Sequence, residues 1–464
     1  MLIRNAEVWR HGRADVRITD GRITAIGQIE PMGSEMVIDA KGGALLPGLH
    51  DHHIHLMASA VRAASVVCGP PDVTTADELA HRLAAPGTGW LRGILYHESV
   101  MGLPDAKMLD AMVPDRPLRM QHRSGRMWLL NSLALHLLLA SAPAPAGLEV
   151  EHGRFTGRLF DEDGWLQQAL GSSPPDLGET SAILAAHGVT GVTDMTPRND
   201  PQQADLYAQQ VRSGRLRQHC HLAGTLALGE TAPSPFWRLG PAKLHLHEAA
   251  LPDLDQTIAF IRQAHDQGRA VASHCTTETE LVFTLAALAE AGPMAGDRIE
   301  HAGIARDEHI AEIAALGLAV VSQPQFITER GDRYLADVEP ELHDALYRLQ
   351  AFIQAGVPLA AGSDAPFASL DPWQSMAAAV SRQTTSGAII GASEALSPEQ
   401  ALALFLSDAD DLSRQRTIAL GEVADLCLLR QPWSDLRDDL ASAEVVVTLV
   451  DGRIVHQSID QPKL

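Results

Sequence analysis

Aromatic residues make up only 4% of the 464-residue chain, and cysteine is confined to Cys68, Cys220, Cys275 and Cys427. No C-x-x-C pair occurs, which excludes a zinc ribbon or a disulfide-stapled scaffold, and scattered thiols suit a reducing compartment. Bases are scarce too: 36 Lys plus Arg stand against 58 Asp plus Glu, a formal net charge of -22. A field of that sign repels phosphate backbones and anionic lipid, so neither a nucleic-acid nor a membrane partner is expected. No apolar run approaches the roughly 18 residues needed to span a bilayer. The opening Met1-Leu-Ile-Arg-Asn-Ala-Glu-Val-Trp9 lacks a basic segment followed by an apolar one. No signal peptide is therefore expected, and the expected location is cytoplasmic. What the chain does have is 45% apolar residues, an ordinary globular share, and 21 histidines whose placement is not random.

Both ends read as β-structure. Leu2 to Val8 alternates loosely, Val16 to Ile26 is a hairpin around Asp20-Gly21, Ala424 to Arg430 is strand-like, and Val445 to His456 turns at Asp451-Gly452. The expectation is a β-sandwich domain from residues 1–43 plus 412–464. The middle, 44–411, alternates short β-runs with Ala- and Leu-rich stretches of helical period such as Asp255–Gln267 and Glu280–Ala291. Eight strands are expected: Ala44–Leu49, Val189–Asp194, Gln218–Ala223, Lys243–His247, Ala270–His274, Arg298–His301, Leu318–Ser322 and Pro358–Ser363. That count fits an α/β fold, a closed (β/α)8 TIM barrel. The gap after the first strand is too long for one crossover. An insertion at about 60–180 follows, with strands of its own near Leu91–His97 and Pro117–His122.

The chemistry concentrates at strand ends. In Pro47-Gly-Leu-His-Asp-His-His-Ile-His55, residues two apart share a strand face, so Asp51, His53 and His55 are expected together. His274 ends Val271-Ala-Ser-His, His301 ends Arg298-Ile-Glu-His, and Asp364 closes Pro358-Leu-Ala-Ala-Gly-Ser-Asp. Each taken alone reads equally well as a polar end-cap. Together they place imidazoles and a carboxylate at the C-terminal tips of parallel strands, where barrel sites are built, and such a donor set suits a divalent metal. Serine-hydrolase, zincin and P-loop signatures are absent.

These motifs resemble the amidohydrolase superfamily, and within it the amidohydrolase-3 branch that includes N-substituted formamide deformylases. The resemblance spans nearly the whole chain and rests also on Asn131-Ser-Leu-Ala-Leu135, Gly188-Val-Thr-Gly-Val-Thr-Asp194, Gly362-Ser-Asp-Ala-Pro366 and Leu420-Gly-Glu-Val-Ala-Asp425. It implies one or two divalent ions, with zinc favoured by the donor set, held by His53, His55, His274, His301 and Asp364. Lys243 stands where the branch has a lysine that becomes a carbamate and bridges two metals; a plain ammonium in an ion pair is the other reading of that residue. The implied reaction is hydrolysis of a C–N bond in a small amide, formamide or cyclic amide by metal-activated hydroxide, with Asp364 as general base and then general acid.

Two positions depart from the branch: His247-Glu248 replaces its usual Asp-Gly, and Arg126 its usual His. Both residues are candidates for the substrate side of the pocket, although Arg126 serves equally well in a structural ion pair. A mononuclear deaminase using a glutamate such as Glu278 is the alternative enzyme, and a non-catalytic assembly protein on the same barrel the alternative class. Base rates favour a homodimer. The substrate itself is set by loops and by the insertion, where Trp90, Tyr96, Trp128 and Trp165 carry no decodable motif.

Overall fold

Period-two alternation at the two chain ends has its counterpart in a single sheet of the computed structural model, which describes residues 1–84, 86–171 and 174–458. Its strands run in the order Arg453–Gln457, Val445–Val450, Leu426–Leu429, Ala44–Pro47, Leu2–Val8, Gly12–Thr19, Arg22–Gly27, with Val37–Asp39 pairing Leu2–Val8 on the side. The hydrogen bonds thus join both ends into one continuous sheet rather than two facing ones. Alternate residues of both halves, among them Ile3, Val16, Leu45, Leu426 and Val447, bury into one cluster. The sheet curls until the turn at Gly21 on one edge meets the segment leading into Leu426–Leu429, with Ala424 N–H donating to Gly21 O at 2.8 Å. Gly21, at φ +76, allows this closure, since a Cβ there would lie 2.9 Å from Asp451 O.

The second eight-stranded sheet is parallel throughout. We number its strands β1 (Leu49–Ile54), β2 (Val189–Asp194), β3 (His219–Gly224), β4 (Arg238–Leu244), β5 (Val271–Cys275), β6 (Arg298–His301), β7 (Ala319–Ser322) and β8 (Leu359–Ala361). β8 returns to β1, where Asp364 N–H donates to His53 O at 2.6 Å, so the sheet is nearly closed in the manner of a (β/α)8 barrel. The helices between follow from the sequence. Leu254–Asp266 starts on an Asp253 cap, and Glu278–Ala291 opens with a reciprocal Thr277–Glu280 capping box.

Two expected barrel strands are misplaced. Ala44–Leu49 is not the first one: Ala44–Pro47 belongs to the terminal sheet, and the chain crosses at Gly48 into β1. A Cβ on Gly48 would lie 2.2 Å from the Thr190 side chain, so the crossing needs glycine. A run of β-type residues carries no mark of which sheet each half will join. Likewise β4 is Arg238–Leu244, so Lys243 lies near its end while His245 and His247 lie beyond it.

The terminal sheet and barrel form one compact unit, Met1–Leu56 with Asp176–Leu464, and Met57–Pro175 forms a second. The second unit is built on a sheet in the order Leu148–Glu151, Arg154–Phe160, Met127–Leu130, Leu118–His122, Leu91–Tyr96, Val66–Val67. Within it the Asn-Ser motif is a structural hub. The Asn131 side chain caps helix Ser132–Ser141 through Ala134 N–H, accepts from Leu118 N–H at 2.9 Å, and donates to Val113 O and Arg116 O. All four cysteines are buried and unpaired. No helix of the described residues is long and apolar enough to cross a membrane.

Candidate metal centre

The site is assembled where the barrel strands end. His53 is the penultimate residue of β1 and His55 lies just beyond it; Asp364 follows β8. One ligand atom from each of the three lies within 4.8 Å of the others. The Nε2 atoms of His55 and His53 are 3.2 and 3.4 Å from Asp364 Oδ1. Close approach of β1 and β8 makes this possible. At Gly362 a Cβ would stand 2.3 Å from His53 N, a distance no side chain tolerates.

The remaining expected ligands surround this trio. The His301 ring lies 4.8 Å from that of His53 and 4.6 Å from that of His274, and His245 is 4.8 Å from His274. Lys243 is buried, and its Nζ has no hydrogen-bond partner among the described residues. Burial lowers its pKa most; the charge of Arg298 adds to that, while Glu300 and Asp364 pull the other way. Burial likewise holds His53 and His301 well below the ordinary 6.5 and pushes His274 down to about 3. Neutral imidazoles keep a lone pair free for an ion.

Three of these candidate rings have their Nδ1 engaged. His53 Nδ1–H donates to Glu300 Oε2 at 2.5 Å, and His301 Nδ1–H donates to Gln323 Oε1 at 2.7 Å. His55 Nδ1 is 3.2 Å from Thr196 Oγ1. For His53 and His301 the acceptor fixes the proton on Nδ1 and leaves the Nε2 lone pair free, the arrangement found behind metal-binding histidines generally. Glu300 is itself held by Arg298, whose Nε donates to its other oxygen at 2.5 Å and whose terminal nitrogen reaches His52 O. Asp194, level with Ile54 at the end of β2, anchors the end of β1, accepting from Leu56 N–H, Thr196 N–H, Asn199 and Tyr207.

Sequence reasoning missed Glu300, Arg298 and Gln323. Strand alternation assigns Glu300 and His301 to opposite faces. Both nonetheless contact His53, because His301 takes a left-handed φ of 73°. Asp364, at φ 53°, is bent in the same way, and such conformations concentrate at functional sites. The signal within reach was an acid and a base flanking Ile299 at a buried strand end.

Other expected residues fall elsewhere. The Asp51 carboxylate faces backbone, accepting from His53 N–H and Ser363 N–H, and burial raises its pKa to about 6. The His247 ring packs against that of His245 at 4.6 Å and lies 6.5 Å from that of His274. Arg126, in the second unit, is three-quarters exposed, with its guanidinium bound in bidentate fashion by Asp161 at 2.8 and 2.7 Å. That is the ion-pair reading of Arg126. Glu278 accepts from Arg306 at 2.6 Å and is likewise engaged.

Donors of this kind, neutral nitrogen with carboxylate oxygen around a buried amine lacking a partner, fit a divalent transition metal. Comparison with known proteins agrees. A family model described as "Amidohydrolase family" matches residues 36–456. The chain is 25% identical to an N-substituted formamide deformylase of Arthrobacter pascens, over 95% of this chain and 94% of that one. It is also 25% identical to the putative amidohydrolase YtcJ of Bacillus subtilis, over 95% and 96%. Among solved structures, an uncharacterized metal-dependent hydrolase from Pyrococcus furiosus superposes with a TM-score of 0.75 at 20% identity, covering 93% of this chain and 98% of that one.

Proposed function

The chain belongs to the Amidohydrolase family and is a metal-dependent hydrolase, and from that premise we propose that it cleaves the C–N bond of an amide, formamide or cyclic amide, with Asp364 moving the proton. The observation that carries this reading is the convergence of His53, His55 and Asp364 ligand atoms within 4.8 Å beside His274, His301 and Lys243. Similarity to a formamide deformylase over nearly the full length supports the choice of bond.

His53, His55, His274, His301 and Asp364 would hold one or two ions, zinc by donor type. When bound, such an ion supplies Lewis-acid polarisation of the carbonyl and acidification of water. The chain's own part is positional and protolytic. Glu300, Thr196 and Gln323 hold the imidazoles, while the backbone N–H of Asp364, donating to His53 O, fixes the carboxylate's base. Asp364 takes a proton from the attacking water and delivers it to the leaving nitrogen, which is too poor a leaving group unprotonated.

In this reading Lys243 would be carboxylated and would join the residues that hold the ions. A buried ammonium with no partner, amid imidazoles meant for cations, is electrostatically misplaced. Burial lowers its pKa and so favours the free amine that carbon dioxide needs: the N–C bond forms as the nitrogen loses one proton, and a neutral amine becomes an anionic carbamate. The test is a panel of N-substituted formamides, cyclic amides and aminated heterocycles with metal analysis of the same sample. Metal-dependent release of amine from an amide is expected. Ammonia from heterocycles with no amide turnover would replace this reading with that of a deaminase.

A further inference from the structure

Arg92 and Arg119 lie opposite each other on the neighbouring parallel strands Leu91–Tyr96 and Leu118–His122 of the second unit. Both are half-buried. Their guanidinium carbons stand 5.5 and 5.8 Å from the centre of the Trp128 ring, and that of Arg119 is also 6.0 Å from the Trp90 ring. The Nε of each is buried without a hydrogen-bond partner.

This is anomalous in so acidic a chain. In the same unit Arg126 pairs with Asp161, and Arg158 with Glu149 and Glu151. Neither Arg92 nor Arg119 forms an ion pair among the described residues. The nearby Asp163 is turned to Trp128 Nε1, 2.8 Å away. Burial lowers the pKa of both guanidinium groups, and the charge of Arg92 helps push Arg119 down to about 10. Two like charges side by side and partly dehydrated oppose folding, so stability does not explain the pair. Stacking on indole returns part of the loss, but leaves both Nε–H donors without a partner.

We propose that Arg92, Arg119, Trp90 and Trp128 form a binding site for a small organic acid. Its oxyanion, carboxylate or phosphate, engages the guanidinium groups, and its flat apolar part rests on the half-buried Trp90 ring, while the buried Trp128 ring backs the arginines. Planar guanidinium forks match both oxyanions in bidentate geometry, and desolvation strengthens such contacts. Neither the hydrolytic site nor its metal enters this inference.

The experiment is calorimetric titration of the full-length protein with benzoate and, separately, with inorganic phosphate. The wild type is compared with the double variant Arg92→Gln/Arg119→Gln. Expected is saturable binding of at least one anion that weakens by about tenfold or more in the variant, the equivalent of one lost charge-assisted contact. The ligand-free melting temperature should be unchanged or raised, because an uncompensated charge pair is gone. Preference for benzoate identifies a carboxylate source, and preference for phosphate a phosphate source. No binding by the wild type, or equal affinity in the variant, overturns the proposal; an anion held only by a barrel-mouth ion gives the second result. Should the double variant fail to fold, Arg119→Lys keeps the charge and loses the fork. Unchanged affinity in that protein is equally fatal.

Discussion

At the scale of single residues, the proposed proton transfer and metal holding can be tested by different substitutions. Asp364→Asn keeps an oxygen donor and the backbone bond to His53 but cannot accept a proton. Turnover is expected to fall by roughly 10²-fold or more with most of the metal retained; near-normal kcat would remove Asp364 from proton transfer. Glu300→Gln leaves the ligand set intact and loses the charged acceptor on His53 Nδ1. Metal affinity, read by competition with a chromophoric chelator, is expected to drop about 10- to 100-fold. An unchanged affinity would mean that the Glu300–His53 contact does not tune the ion. The histidines and Asp364 were legible in the sequence because each ends a β-run. Glu300 was not, because neighbouring residues on a strand normally face opposite ways, and the backbone twist at His301 that undoes this leaves no trace in residue type.

At the scale of elements, the closing seam of the barrel and the link from barrel to terminal sheet each make a claim. Gly362→Ala drives a methyl into His53, and a strand seam cannot yield as a flexible side chain would. A loss of about 1–3 kcal/mol is expected in denaturant unfolding, with metal binding weakened as well. His219 on β3 pairs with Asp425 at 3.1 Å and Asp451 at 3.6 Å, joining the barrel to the terminal sheet. The hydrogen bond to Asp425 raises the His219 pKa above its ordinary 6.5. Its stabilisation is therefore full below pH 6.5 and fades as pH rises through the higher folded-state value. Melting temperature should fall across that window in the wild type and fall less in His219→Asn; parallel profiles would count against the pair. The hairpins at Asp20-Gly21 and Asp451-Gly452 were readable because turn chemistry is local. The assignment of Ala44–Pro47 and the true start of β4 were not, since partner choice between sheets is decided by distant strands.

At the scale of the whole molecule, the parallel barrel and the existence of an insertion could be read from spacing alone. The interior of that insertion could not. Of its strands, those near Leu91 and Leu118 stood out, while Met127–Leu130 and Arg154–Phe160 carried no distinct periodic mark. The terminal sheet offers a test at this scale. A chain stopped after Asp425 lacks Leu426–Leu429 and the hairpin beyond it, and leaves the edge of Ala44–Pro47 unpaired. Such an edge recruits other chains. The truncated protein is expected in the insoluble fraction, and a soluble, metal-binding product would show the barrel to be independent of its sheet.

The placement of Ala44–Pro47 between Leu2–Val8 and Leu426–Leu429 has a consequence for biosynthesis. On the ribosome the first strands emerge early, yet the neighbour that completes them is translated only after the whole barrel. Throughout elongation the nascent amino-terminal region carries a half-built ribbon that nothing yet covers. Chaperone dependence during synthesis should therefore end only when Leu426–Leu429 and the hairpin after it clear the exit tunnel.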